Sequence, residues 1–184
     1  MSRPRAKDKG STAPEMPDAE ALFREYHPRV YAYVRYRVAD VAEAEDLTSD
    51  ILERAWTHLA SYDARKGAFS TWLFRIAHNT WVNHLKRRGR RDPHQVDLDE
   101  GLEDLAADEP TPEQVVLLKE EAARLLKCLS ALPARQQEIL ALRFAGRLTN
   151  REIARVLRMN ERTVSVTILR ALRKLRQRLV EKEI

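Results

Sequence analysis

Residues 149–170 read TNREIARVLRMNERTVSVTILR, and this stretch decides the fold. Thr149 followed by Glu152 is a capping box: each side chain satisfies a backbone N–H of the other residue, so a short helix starts there and runs to Leu157. Arg158-Met159-Asn160 reads as a turn. The helix beyond it repeats Val164, Ile168, Leu172, Leu175 and Leu179 at helical spacing on one face. Ile153, Ala154 and Leu157 are positioned to pack on Val164 and Ile168, and the small Ala154 lets the second helix approach closely. A short capped helix, a three-residue turn and a longer basic helix make a helix-turn-helix pattern. The outward arc of its second helix carries Arg162, Thr163, Ser165, Val166, Thr167 and Arg170, side chains that suit base edges in a major groove. Arg173, Lys174 and Arg176 suit phosphates. An ordinary helical hairpin with a solvated basic face is the plainer alternative.

Working outward, Pro133 opens a helix carrying Ile139, Leu140 and Phe144, with Gly146 at its end. Before it, Thr111-Pro112-Glu113 is a cap with proline at the first helical position, followed by Val115, Leu118, Ala122, Leu125 and Leu129. From Asp92 to Glu113 there is no Lys or Arg, while Asp97, Asp99, Glu100, Glu103, Asp104, Asp108 and Glu109 accumulate with Pro93, Pro110 and Pro112; residues 92–112 therefore read as a flexible acidic linker. Upstream, Leu22, Tyr26, Val30 and Val34 repeat every four residues behind an Asp18 cap, and Pro28 predicts a kink or restart. A second helix after Asp40 buries Leu47, Ile51, Ala55 and Leu59. A loop over residues 61–68 leads to a third helix capped by Ser70 or Thr71 and ending near Gly89, with Leu73, Ile76, Thr80 or Trp81, and Leu85 on one side. Residues 1–17, rich in Pro, Lys and Arg, read as a disordered basic tail. The expected architecture is all-α: two small helical domains, 18–91 and 113–184, joined by the linker.

The composition limits the function. A net charge of +5 fits nucleic acid without requiring it, so the distribution of charge matters more than its sum. With 5 Gly, a glycine-rich phosphate loop is nearly excluded. Cys128 is the single cysteine and reads as a buried, inert thiol. His27, His58, His78, His84 and His94 have no metal-ligand or triad spacing, so no catalytic residue, metal or cofactor is expected. There is no secretory signal and no apolar run near the ~20 residues that span a bilayer, which points to the cytoplasm and to no membrane insertion.

The third helix interleaves Phe69, Trp72, Phe74 and Trp81 with Arg75, His78, Asn79, Asn83, His84, Lys86, Arg87 and Arg88. Aromatic rings beside cations suit unstacked single-stranded bases, although rings at helical spacing are more often core. The second helix has an acidic flank of Glu43, Glu45, Asp46, Asp50 and Glu53, which is either solvated or docked on a basic partner.

These motifs together carry a resemblance. Ala44-Glu45-Asp46-Leu47-Thr48 through Ala55-Trp56 resembles region 2.2 of the sigma-70 superfamily of RNA polymerase sigma factors. Residues 69–79, FSTWLFRIAHN, resemble regions 2.3 and 2.4 of its extracytoplasmic-function class, and residues 132–179 resemble region 4. The resemblance implies a sigma2-like bundle and a sigma4-like helix-turn-helix domain. Its implied partners are core RNA polymerase, through the clamp helices of the largest subunit and the flap region, promoter DNA, and an anti-sigma factor where the class is so regulated. For polymerase it implicates Glu45, Asp46, Leu47, Ser49, Asp50 and Arg54. For the minus-ten element it implicates Tyr62, Arg65, Lys66, Phe69, Trp72, Arg75, Asn79, Asn83, Lys86, Arg87 and Arg88; the loop of residues 62–68 with Asn79 would capture a flipped base. For the minus-thirty-five element it implicates Arg151, Arg162, Thr163, Ser165, Val166, Thr167, Arg170 and Lys174.

Three departures stand out. Ser49-Asp50 replaces a usual Gln-Glu, Leu73 replaces the second of a tryptophan pair, and Ser165-Val166-Thr167 occupies a stretch often basic in relatives. Fewer phosphate contacts, or apolar contacts to thymine methyls, are expected from the last. The alternative function is a self-sufficient helix-turn-helix regulator, which would dimerise on a palindrome and leave the aromatic-basic helix and acidic linker without a role. A protein-interaction adaptor would leave the helix-turn-helix unexplained.

Overall fold

The computed structural model describes residues 19–38, 40–88 and 112–180. They form α1 (Ala19–Arg35), α2 (Val41–Thr57), two single 3-10 turns (Leu59–Ser61 and Ala64–Lys66), α3 (Phe69–Arg88), α4 (Pro112–Ser130), α5 (Ala134–Phe144), α6 (Asn150–Leu157) and α7 (Glu161–Val180). No strand occurs among the described residues, as expected of an all-α chain. The tail, the Asp18 cap, Gly89 and residues 92–111 of the acidic linker lie outside the described residues.

The helix starts are set locally. The Asp40 side chain accepts from the Glu43 N–H at 2.7 Å, opening α2. At Thr149 both halves of the capping box form, with the Thr149 N–H donating to Glu152 Oε2 at 2.8 Å. The break between α6 and α7 is made by Arg158 in the left-handed conformation, φ 52°. The Asn160 side chain then accepts from the Arg162 N–H as α7 begins. α1 passes through Pro28 without restarting. A Glu20–Arg24 pair precedes the proline and a Glu25–Arg29 pair spans it, both at i,i+4.

Packing joins the two halves instead of leaving them as separate cores. Val30, Tyr33 and Val34 of α1, Ala44 and Ile51 of α2, and Phe74 and Ala77 of α3 share one buried cluster with Ile139 and Leu142 of α5, Ile153 and Val156 of α6, and Val164 of α7. A smaller cluster, Cys128, Leu129, Leu132, Leu140, Ala171 and Leu175, fastens α4 and α5 to the back of α7. Cys128 is a buried free thiol. The expected positions of Leu85, Leu125 and Leu172 are corrected: all three are exposed, and Ala171 takes the buried position on α7, because the stripe follows the 164–168–171–175 spacing. The side chains of Val115 and Leu118 lie outside the described set.

The end of α5 shows how close the halves come. The left-handed residue here is Arg147, φ 52°, and not Gly146. Gly146 is needed for approach: a Cβ on it would lie 2.7 Å from the Leu142 carbonyl oxygen and 3.1 Å from the Phe74 ring of the other half. Its own carbonyl accepts from Arg29 Nη2 at 2.6 Å. Gly146→Ala is expected to destabilise the protein by about 1–3 kcal/mol, the cost of overpacking. A thermal melt of the variant checks this; an unchanged midpoint would mean that the contact yields freely.

Candidate nucleic-acid interface

α3 carries the first candidate face. Its N-terminal turn meets an aromatic group in which Phe69 lies 5.0 Å from Tyr26 and 5.3 Å from Tyr62, and Trp72 lies 5.7 Å from Tyr62. Phe74 is core, edge-on to Tyr33 at 5.5 Å. Tyr62, Phe69 and Trp72 are half-buried against each other. In the preceding loop Asp63 accepts from the backbone N–H and the guanidinium of Arg65. Those bonds hold its carboxyl down to about 2. Lys66 Nζ lies 3.8 Å from the same carboxylate, so the loop's cations are gathered around one anion. Further along α3, Asn79, Asn83, Lys86 and Arg87 are exposed, and Arg88 closes the helix.

Ser70 and Thr71 are not caps. They sit inside α3, buried, and both hydroxyls donate to Glu152 Oε1 of α6, at 2.6 and 3.4 Å. Burial pushes the Glu152 carboxyl up, but the hydrogen bonds from Ser70, Thr149 and Thr71 outweigh it and lower its pKa. Arg75 Nη2 donates to the Arg155 carbonyl at 3.3 Å. The helix-turn-helix unit therefore rests on the first turns of α3.

A charged knot lies at the centre of this contact. Glu138 of α5 is 7% exposed. Its Oε1 accepts from the Tyr33 hydroxyl at 2.8 Å and faces His78 Nδ1 at 3.1 Å, and its Oε2 accepts from Arg37 Nη2 at 2.7 Å. Burial alone would raise its pKa; the Arg37 charge and the His78 and Tyr33 hydrogen bonds prevail and hold it at about 2. Arg37 in turn stacks over the Tyr33 ring at 4.0 Å. Sequence reasoning missed this knot, because Tyr33 and Glu138 are 105 residues apart and Glu138 alone reads as an ordinary surface carboxylate.

The second face is on α7. Arg162, Thr163, Val166, Leu169, Arg170, Arg173 and Lys174 are exposed, opposite the buried Val164, Ala171 and Leu175, and Arg151 of α6 is exposed as well. Ser165 is drawn into the scaffold: its hydroxyl donates to the Glu161 carbonyl and accepts from Asn150 Nδ2. The Thr167 hydroxyl donates to the Thr163 carbonyl at 2.7 Å. Leu169 is 57% exposed, and nothing in the sequence sets it apart from the other leucines of this helix.

On α2, Glu45, Asp46 and Ser49 are exposed, and Asp50 is paired with Arg54 at 2.6 Å. Leu47 belongs to the core and does not reach the surface. Beside this flank, Phe23 and Trp56 are exposed at 56% and 60%. They edge a cavity of about 350 Å³ that also reaches Leu22, Ser49, Leu52 and Leu73. No group of His, Cys, Asp and Glu among the described residues is arranged to hold a metal ion. No helix among them is long and apolar enough to cross a membrane.

The described residues combine an all-helical architecture, an aromatic-basic face and a helix-turn-helix, the features of a DNA-binding protein. Comparison with known proteins is more specific. Residues 22–91 match the model for sigma-70 region 2, and residues 122–175 match that for sigma-70 region 4. The chain is 36% identical over 154 residues to the ECF RNA polymerase sigma factor BldN of Streptomyces coelicolor, covering 84% of this chain and 57% of that protein. It is 28% identical to the ECF RNA polymerase sigma factor RpoE of Cereibacter sphaeroides, covering 86% of this chain and 84% of that one. Among solved structures it superposes on the sigma factor RpoE in complex with the anti-sigma factor NepR from Bartonella quintana, with TM-score 0.65 and 23% identity over 87% of this chain and 95% of that one. It also superposes on CnrH in complex with the cytosolic domain of CnrY, with TM-score 0.63 and 22% identity over 90% and 88%. The chain belongs to the sigma-70 family of RNA polymerase sigma factors, in its extracytoplasmic-function class.

Proposed function

We propose that the chain is a cytoplasmic initiation factor that binds core RNA polymerase and directs it to promoters by reading minus-ten and minus-thirty-five elements. The observation that carries this is the pairing, in one chain, of a region-2 bundle and a region-4 helix-turn-helix, each with an exposed basic face. In this reading Asp46, Asp50 and their neighbours on α2 meet the polymerase clamp, with Trp56 and Phe23 as an apolar margin. Arg65, Lys66, Trp72, Asn79, Asn83, Lys86 and Arg87 meet minus-ten DNA. Arg162, Val166, Arg170 and Lys174 meet the minus-thirty-five duplex. An anti-sigma factor is a further partner proposed by likeness, since one of the superposed structures is a sigma factor bound to an anti-sigma factor.

The packing adds a condition. Elements near minus ten and minus thirty-five lie about 25 base pairs apart, roughly 85 Å along a duplex at ~3.4 Å per pair. α3 and α7, with 20 residues each, are only about 30 Å long apiece. With α6 seated on α3, both faces cannot reach both elements, so the halves separate when the polymerase is bound. The free chain is therefore expected to bind promoter duplex weakly, and with little sequence preference, at physiological salt. Adding core polymerase should give promoter-specific transcription. Titrating labelled promoter with the chain alone and with core enzyme tests this. Tight, sequence-specific binding by the chain alone would favour the self-sufficient regulator instead.

A further inference from the structure

We infer that α7 reads the minus-thirty-five element through thymine methyl groups, with Val166 and Leu169 as the specificity-determining residues. The inference rests on the reading that α7 enters a major groove. Val166 and Leu169 are 38% and 57% exposed, three residues apart on the outward face of α7. Arg162 precedes them by four residues and Arg173 follows by four, so the outward line runs Arg162, Val166, Leu169, Arg173: two apolar side chains between two cations on one helix face.

Two hydroxyls near this line are already engaged within the helix pair. The Ser165 hydroxyl is occupied by the Glu161 carbonyl and Asn150 Nδ2, and the Thr167 proton by the Thr163 carbonyl. In the major groove the C5-methyl of thymine is the apolar feature that separates one base pair from the others. An apolar pair held between cations matches a duplex that offers methyls between phosphates. A protein partner is less well matched, because a hydrophobic partner helix would have to leave Arg162 and Arg173 beside apolar surface.

The test uses holoenzyme reconstituted from core polymerase and the full chain. A minus-thirty-five element is first selected from a randomised library by transcription. Each thymine in it is then replaced by deoxyuridine, which removes the methyl and leaves every hydrogen-bonding group. At one or two positions promoter affinity is expected to fall about fourfold per methyl. In holoenzyme carrying Val166→Ala or Leu169→Ala, thymine and deoxyuridine should bind alike at the matching position. Alanine is the best helix former and both sites are exposed, so these variants keep their fold. If deoxyuridine has no effect anywhere while Arg162→Ala and Arg173→Ala still impair minus-thirty-five dependence, α7 reads DNA by other means and the inference fails alone. If the arginine variants are silent too, α7 does not face DNA and the underlying reading fails with it. A loss of core affinity in the alanine variants, with unchanged base preference, would show a protein-docking face and likewise overturn the inference.

Discussion

Glu138→Ala will lower the melting temperature by roughly 6–20 °C and expand the protein in solution. Removing one partner of a buried ion pair costs about 3–5 kcal/mol, because the other charge stays buried without compensation. At this size each kcal/mol shifts the midpoint by about 2–4 °C. Here the stranded partner is Arg37, whose side chain is 5% exposed, and the Tyr33 hydroxyl loses its acceptor as well. The contact joins α1 and α3 to α5, so the loss falls on the junction between the halves. Calorimetry and small-angle scattering together test this; an unchanged midpoint and radius of gyration would refute it. Converting Glu138 and Arg37 together to Met should recover much of the loss, since no unpaired charge then remains.

The same carboxylate sets a pH dependence. Its folded value, about 2, lies below its ordinary 4.5. The ionised form is thus favoured by folding, and the contribution is complete above pH 4.5 and lost as pH falls toward 2. Glu138→Ala should lack this acid limb, and the difference between the two melts should shrink between those pH values.

Asp46→Lys combined with Asp50→Lys will abolish holoenzyme formation while leaving the fold intact. The two carboxylates are four residues apart on α2 and face away from its buried Leu47 and Ile51. If they meet a basic surface, charge reversal sets like charges against each other at a cost of several kcal/mol, a loss of more than a hundredfold in affinity. Within the chain, Asp50→Lys replaces the pairing with Arg54 by a mild i,i+4 repulsion of about 0.2–0.5 kcal/mol, too little to unfold the bundle. Co-purification with core polymerase and a thermal melt separate the two effects. Unchanged polymerase binding would mean that this flank is only solvated.

The elements with local causes are legible in the sequence. Asp40, Pro112 and the Thr149–Glu152 box begin helices where their short-range chemistry requires it. The stripe of Leu47, Ile51, Ala55 and Leu59 is buried as its period predicts. The meeting of distant residues is not legible. Ser70 reads as a cap because a hydroxyl before an apolar run usually is one, but its partner is Glu152, 82 residues away. Leu172 falls in an apolar stripe by its spacing, yet the small Ala171 fills that place instead. Period alone cannot tell a leucine facing the core from one facing outward when leucines stand on both sides of a helix.

Glu152 divides its work between its two oxygens. Oε2 holds the Thr149 backbone N–H and hydroxyl, and Oε1 holds Ser70 and Thr71 of the other half. In the separation proposed above, Oε1 exchanges hydroxyls for water while Oε2 keeps its partners, and α6 remains capped. The reading head thus keeps its shape through the transition, and no helix has to melt and re-form. Separation is then a rigid-body displacement, with the microsecond-to-millisecond timescale of domain motions.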